Sequence, residues 1–491
     1  MMEMCVGREA EIYKTINLMK RTVYQFIYLL SCISLLGCSK EEFLAARPDQ
    51  ALVVPQTMEE LQAIMDNTAI FSGMQGTTGS GIVPVLGQAA SDDYFFGRPN
   101  LYPGLHLFTK NSFIWDRADI YGGLENISDW NLPYQSILYA NICLEQLSKL
   151  SQEEQHSLSG KAIKGSALFH RAHLYYQLAQ VFAPVYQKET AAETPGLPIR
   201  LTGDVGEVLG RNTVEETYIQ VLEDLQEALR YLPERSVYTT RPTRAAAHAL
   251  LARAYLAMSD YPSSLYHAEK GLESRHELLD YNTLDSTARF PIPKDNREVI
   301  FSCLVSVGGG VVTAFSNSYA SVDPSIIRSY AEGDLRRAMF LTPRTQAQSE
   351  GMEFKGSYFG AIANFGGIAT SELYLIRAEC LARAGRTAEA CGVLNDLLIR
   401  RFDAEKFQPM DITDPEEMLR TVLAERRKEL LYRGLRWTDL RRLNLDPRFA
   451  VTLKRFIGGE WFELPPNDPR YVFPIPPDVM GFHPDMPQNP R

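Results

Sequence analysis

Apolar residues return every three or four positions over several stretches of this chain, a period that predicts amphipathic helices. The first runs over 56–68 behind Pro55 and Thr57, with Glu59 and Glu60 in the first turn, where the positive end of a helix favours acids. Over 69–126 the period fades into what reads as loop, rich in glycine and aromatic residues. It resumes at 130–150 (Trp130, Tyr134, Ile137, Leu138, Asn141, Leu144, Leu147) and at 160–182 (Ala167, Leu168, Ala172, Tyr175, Tyr176, Leu178, Ala179). Two such helices joined by a short polar turn predict a hairpin. A second set covers 213–232, opened by Thr213 and Glu216 at capping-box spacing, then 243–258 and 263–273 joined through Ser259-Asp260-Tyr261-Pro262. A third, 371–384 and 388–401, flanks Gly385-Arg386-Thr387, and a further helix is predicted over 416–442.

Leu251-Ala252, with Tyr255 three positions on, fits the core of a tetratricopeptide repeat, and Ser264, Ala268 and Gly271 supply the small residues its second helix wants. Ala378, Leu381, Ala390 and Leu394 are the expected inter-helix contacts of the third set, a packing role rather than a chemical one. The pattern therefore predicts a mainly α fold of tetratricopeptide-like helical hairpins, an α-α superhelix, with long irregular loop insertions and a few short strands. One strand is expected within 298–305, followed by Gly308-Gly309-Gly310. The stretch of about 275–369 separates the hairpins in sequence, so a contiguous solenoid is not expected. After a leader over 1–37, the chain divides into an N-terminal region over 38–275 and a C-terminal region over 276–491.

The leader is read from Met19-Lys20-Arg21 and the apolar run that ends at Leu35-Leu36-Gly37-Cys38, the layout of a secretory signal peptide. The run is shorter than the roughly 20 residues of a transmembrane helix. Residues 1–18 carry Glu3, Glu9 and Glu11, which do not suit a basic leader, and point to Met19 as the initiator. Leu35-Leu36-Gly37-Cys38 resembles a bacterial lipobox, in which Cys38 is lipidated and becomes the new N-terminus. One acyl chain holds only marginally, so a lasting anchor to the membrane needs Cys38 to be multiply acylated.

Composition narrows the function classes. Glycine and proline total 61 of 491 residues, near the average share of about 12%, which excludes collagen-like and linker classes. The formal net charge of −10 becomes −11 once the leader is removed, arguing against a nucleic-acid partner. Of seven cysteines, Cys5 and Cys32 leave with the leader and Cys38 is the lipidation residue. Cys143, Cys303, Cys380 and Cys391 have no metal spacing; buried thiols are expected, with Cys380 and Cys391 the pair to check for a disulfide.

No reactive constellation emerges. His170 and His173 stand at i, i+3 without the glutamate of a zinc-protease helix or a third ligand, and read as helix-packing histidines. Gly308-Gly309-Gly310 lacks the lysine of a phosphate loop, and Ser91-Asp92-Asp93 carries two adjacent carboxylates that would point apart. The chain is read as a non-enzyme, with no catalytic residue, metal or cofactor.

The C-terminal third is the most specific. Ser371-Glu372-Leu373-Tyr374-Leu375-Ile376-Arg377-Ala378-Glu379, then Glu425-Arg426-Arg427-Lys428-Glu429-Leu430 through Gly434 and Arg436-Trp437-Thr438-Asp439-Leu440, then Tyr471-Val472-Phe473-Pro474-Ile475-Pro476, and Gln488-Asn489-Pro490 resemble the SusD/RagB family of Bacteroidetes outer-membrane lipoproteins. Phe43-Leu44 with Pro48, Ser91-Asp92-Asp93, Trp130 with Tyr134 and Asn141, and Phe169 with Arg171-Ala172 extend the resemblance over the mature chain. Departures are small: Arg433 stands where glutamate is frequent and Val472 where leucine is. The resemblance implies four tetratricopeptide-like hairpins, a surface location, a nutrient ligand that is usually a glycan, and a role as lid on a SusC-like, TonB-dependent transporter. From the residues themselves, Glu425 and Glu429 lie on one helix face beside Arg426, which predicts a buried ion network, with Trp437 as an aromatic anchor. Pro474, Pro476 and Pro477 predict a stiff, extended tail.

A glycan site needs aromatic faces against sugar C–H surfaces, flanked by planar or amide donors. Loop residues of that kind are Arg98, Tyr102, Trp115, Tyr121, Asn126 and Tyr319, the expected ligand contacts. The alternatives are a peptide ligand, as on the RagB side of the family, and a helical scaffold without a small ligand.

Overall fold

The computed structural model describes residues 55–75, 79–96, 106–306, 320–344 and 351–491. The leader, Cys38, Phe43, Leu44, Pro48 and Gly308-Gly309-Gly310 lie outside the described residues, as do Arg98, Tyr102 and Tyr319.

The architecture is mainly α, as the periodicity predicts. Helix Met58–Met65 is closed by a capping box between Thr57 and Glu60, and helix Val214–Tyr231 by one between Thr213 and Glu216. In each, two orphan backbone N–H groups are satisfied reciprocally. The long helices pack on their successors: Ser128–Lys149 on Leu158–Phe182, then Val214–Tyr231, Arg244–Ala257, Tyr261–Ser274, Thr370–Arg383 and Thr387–Leu398. Tyr261–Ser274 meets Thr370–Arg383 directly, so the array is continuous in space although residues 275–369 interrupt it in sequence. Gly271 makes that contact close: a Cβ there would lie 2.8 Å from Leu373 Cδ1. The expected gap in the solenoid is therefore a looped-out insertion.

Two other expectations are corrected. Residues 69–126 contain helices Thr68–Phe71, Leu86–Ala90 and Leu107–Ile114 and strand Tyr94–Phe96, each too short for its period to register. The helix expected over 416–442 is two, Pro415–Glu429 and Arg436–Leu443. Between them Tyr432 and Gly434 take left-handed φ values of 57° and 72°. For tyrosine this conformation costs about 1–3 kcal/mol, offset by a buried ring 5.0 Å from that of Phe354.

The expected ion network forms, and it is what ties the insertion to the helices. Arg401, following Thr387–Leu398, donates to Glu429 at 2.9 Å and to Glu298 of the insertion at 2.7 Å, and its guanidinium lies 4.2 Å from the Tyr281 ring centre. Arg336, also in the insertion, bonds Asp334 at 2.7 Å and Glu425 at 2.6 Å. Despite burial, Arg401 and Arg336 hold the Glu429 carboxyl below the usual carboxylate range. A second chain runs from Arg426 through Asp439 and Arg442 to Glu379. Trp437 is buried, its ring 4.8 Å from that of Tyr471, and Gly87 packs so close that a Cβ there would meet Trp437 Cβ at 2.9 Å.

The tail docks back on the first hairpin. Phe473 N donates to Val181 O at 2.9 Å, and Asn489 Nδ2 to Phe182 O at 2.8 Å and Phe473 O at 2.7 Å. The four described cysteines are buried free thiols, and Cys391 Sγ lies 3.0 Å from Met410 O rather than bonding Cys380. Burial pushes Cys143, Cys303 and Cys380 up to about 12. His170 and His173 are packing residues: both are buried, His170 is 4.5 Å from the Phe71 ring, and desolvation lowers it to about 3.

Candidate functional site

Two strand pairs frame a cleft of about 280 Å³. The first joins Tyr94–Phe96 to Ala320–Val322, antiparallel, with Phe96 opposite Ala320. Those two residues are the described neighbours of segments 97–105 and 307–319, which carry Arg98, Tyr102 and Tyr319. The second is the hairpin Leu453–Ile457 with Glu460–Leu464, turned by Gly458 and Gly459 at φ 64° and 88°. Positive φ at both central residues is what a tight hairpin turn demands and glycine supplies.

Alternation along the hairpin decides which side chains face outward. Leu453, Arg455 and Ile457 are buried. Arg455 donates to the carbonyls of Phe113 and Ser91, and to that of Ala90 at 3.2 Å, clamping the hairpin to the helical body. Phe456 and Trp461 point out, 58% and 66% exposed, as a cross-strand pair with ring centres 5.2 Å apart. Paired across the strands, the two rings present one contiguous apolar face to solvent, the kind of patch a ligand can cover.

Phe95, Phe113, Asp323, Arg427, Lys454 and Phe456 line the cleft. Behind them Arg436 holds Asp92 with bonds of 2.7 and 2.9 Å. Burial opposes ionisation of Asp92, but Arg436 and Arg427 hold its carboxyl well below the usual range. Burial and the neighbouring Asp92 charge push Asp93 up to about 6. The two adjacent carboxylates are thus separated in function: one fixes the guanidinium groups, the other accepts from Gln88 Nε2 at 2.9 Å. Both are structural. Arg427 donates through Nη2 to Asp92 O at 3.0 Å and pairs with the Asp92 carboxylate at 3.0 Å, while its buried Nε has no hydrogen-bond partner among the described residues. The cleft thus offers aromatic surface beside a partly exposed guanidinium.

Not every residue expected at the ligand belongs there. Trp115 caps helix Leu107–Ile114 in the left-handed conformation and is 1% exposed, its Nε1 donating to Ala90 O at 2.9 Å and its ring under Arg455. Tyr121 is buried as well, its hydroxyl donating to Pro474 O at 2.5 Å. Both are core residues that hold hairpin and tail in place, because loop position did not mean exposure. Asn126 is exposed but does not line the cleft. Phe456, Trp461 and Arg427 were not anticipated. Gly458-Gly459 between two short alternating runs was the available signal for the hairpin. Among the described residues no group of three or more His, Cys, Asp or Glu side chains could hold a metal ion, and no helix is long and apolar enough to cross a membrane.

Comparison with known proteins agrees with this architecture. Residues 42–256 match a family model described as starch-binding associating with outer membrane, and residues 363–491 match the model of the SusD family. SusD-like protein P2 of Formosa agariphila is 23% identical over 422 residues, covering 74% of this chain and 79% of that one. Among solved structures, a SusD superfamily protein from Bacteroides thetaiotaomicron superposes with a TM-score of 0.70 at 20% identity, over 89% of this chain and 100% of that one. A SusD-like carbohydrate binding protein from Bacteroides vulgatus superposes with a TM-score of 0.64 at 20% identity, over 87% of this chain and 96% of that one.

Proposed function

The chain belongs to the SusD/RagB family, whose members are outer-membrane cell-surface lipoproteins, and on that premise we propose that it binds a nutrient glycan and delivers it to a SusC-like TonB-dependent transporter. Cys38 is the lipidation residue that tethers it to the outer membrane. The role is capture rather than catalysis: the paired carboxylates and histidines of the described fold are spent on internal contacts.

The observation that carries the glycan reading is the exposed pair Phe456 and Trp461 beside a cleft lined by Phe95 and Arg427. Aromatic faces present apolar area to the C–H surface of a sugar ring, and a partly exposed planar guanidinium can donate to hydroxyls at the cleft edge. Arg98, Tyr102 and Tyr319 remain proposed ligand contacts; their segments follow Phe96 and precede Ala320 in sequence. Asn126 is kept as an outlying contact. A ligand held by stacking and neutral hydrogen bonds also suits a chain of net negative charge, which disfavours polyanions.

The test is calorimetric titration of the protein lacking residues 1–38 against a polysaccharide panel and a peptide digest. Saturable heat with at least one neutral polysaccharide is expected. A response to peptides alone overturns the glycan reading in favour of a peptide-binding uptake subunit, and no response to either leaves a helical scaffold.

A further inference from the structure

A second cavity, of about 500 Å³, shares no lining residue with the cleft. Its floor is Trp130 and Tyr134 on helix Ser128–Lys149, with ring centres 4.8 Å apart. One wall is the loop carrying Val205 and Val208; the other is helix Pro477–Phe482, which contributes Phe482, with Met486 beyond it. Val205, Val208 and Phe482 are 73%, 78% and 84% exposed, so two segments distant in sequence converge to present apolar side chains to solvent around one opening.

Most polar groups of this cavity are already engaged. Tyr134 donates its hydroxyl to Pro198 O at 2.8 Å; Arg200 gives Nη2 to Glu207 O at 2.8 Å and Nη1 to Asp204 O; the Glu207 carboxylate accepts from Thr202 Oγ1 at 2.7 Å. A sugar entering here would lose hydration from its hydroxyls and find few partners, an unfavourable exchange. An apolar ring or acyl chain loses nothing comparable and covers Trp130, Val208 and Phe482. The volume falls within the range of small-molecule sites. His483, the remaining polar lining side chain, has no bond among the described residues and can meet a single polar head.

From these contacts we propose that this cavity is a binding site for a small ligand with an aromatic ring or short acyl chain and one polar head, distinct in chemistry from the glycan cleft. The probe is 8-anilinonaphthalene-1-sulfonate, titrated into the protein lacking residues 1–38, with octanoate and benzoate as competitors. Expected are saturable one-site binding, displacement by at least one competitor, and quenching of tryptophan emission that disappears in Trp130→Phe. Phe482→Asp and Val208→Asp, both at exposed positions, should each weaken binding at least tenfold and leave any polysaccharide titration unchanged. Non-saturable binding, or unchanged affinity in both aspartate variants, overturns the proposal. Because the polysaccharide titration is a separate readout, failure here and failure of the glycan reading are told apart.

Discussion

Arg455 holds its guanidinium 4.5 Å from the centre of the Trp115 ring, and the same arginine reaches the carbonyls of Ala90, Ser91 and Phe113. The tryptophan is therefore a wedge between the β-hairpin and the helical body. Trp115→Ala removes a fully buried indole and is expected to lower the unfolding free energy by about 3–5 kcal/mol. Urea denaturation followed by circular dichroism measures it; an unchanged midpoint would remove Trp115 from the core.

Phe456→Ala and Trp461→Ala should behave in the opposite way. Both rings are mostly in water, so each change should cost no more than about 1 kcal/mol of stability, the scale of a cross-strand pair. Loss of a stacking face should weaken the glycan found by calorimetry about tenfold. Wild-type affinity in both variants would place the ligand elsewhere.

Arg401 and Glu429 are buried together with Glu298. Replacing Glu429 by Gln leaves Arg401 with half its anionic partners, and breaking such a pair from one side costs about 3–5 kcal/mol. The double replacement Arg401→Met with Glu429→Leu should cost less than the sum of Arg401→Met and Glu429→Leu alone, because neither member of the pair is then left facing a missing partner, while the loss of Arg401 to Glu298 and of Glu429 to Arg336 is common to single and double changes. A denaturation cycle over the four proteins reads the coupling; additive costs would show that the network contributes no mutual stabilisation.

Asp129 supplies a pH dependence of definite sign. Its Oδ2 accepts from Leu86 N at 2.7 Å, but burial pushes the carboxyl up to about 6 from an ordinary 3.8. Below 3.8 both folded and unfolded chains are protonated there and stability is unaffected. Between 3.8 and about 6 the unfolded chain ionises first, so stability declines as pH rises, and above about 6 the loss is constant. Asp129→Asn removes this penalty, worth about 3 kcal/mol for such a shift. The variant should gain over wild type between pH 4 and 6.5 in thermal unfolding, and a gain that does not vary with pH would refute the assignment.

The residues that were legible are those whose signal is local. Thr57 with the acids Glu59 and Glu60 behind it, and Thr213 with Glu216, mark two helix starts within two residues, because the signals of a helix N-terminus are complete in about four positions. Glu425 and Glu429 announced a buried network by facing one way, yet their partners Arg336, Arg401 and Glu298 lie on other elements and no spacing names them. Tyr432 broke a helix that periodicity carried onward, since a left-handed tyrosine is held by its tertiary contacts. Trp115 and Tyr121 stand in aperiodic sequence ahead of Gly122 and Gly123, where the pattern alone predicts exposed rings. Their burial depends on Arg455 and Pro474, more than three hundred positions away, which only the fold brings near.

The docking of Asn489 on Phe182, 307 positions apart, also sets a clock. A ribosome adding roughly 10 residues per second delivers the asparagine about half a minute after the helix end it closes. Until then the carbonyls of Val181 and Phe182 have only water to bond, and the first hairpin stays unsealed. Completion of the first hairpin thus waits on a segment made some three hundred positions later, and the two ends of that interval can settle only together.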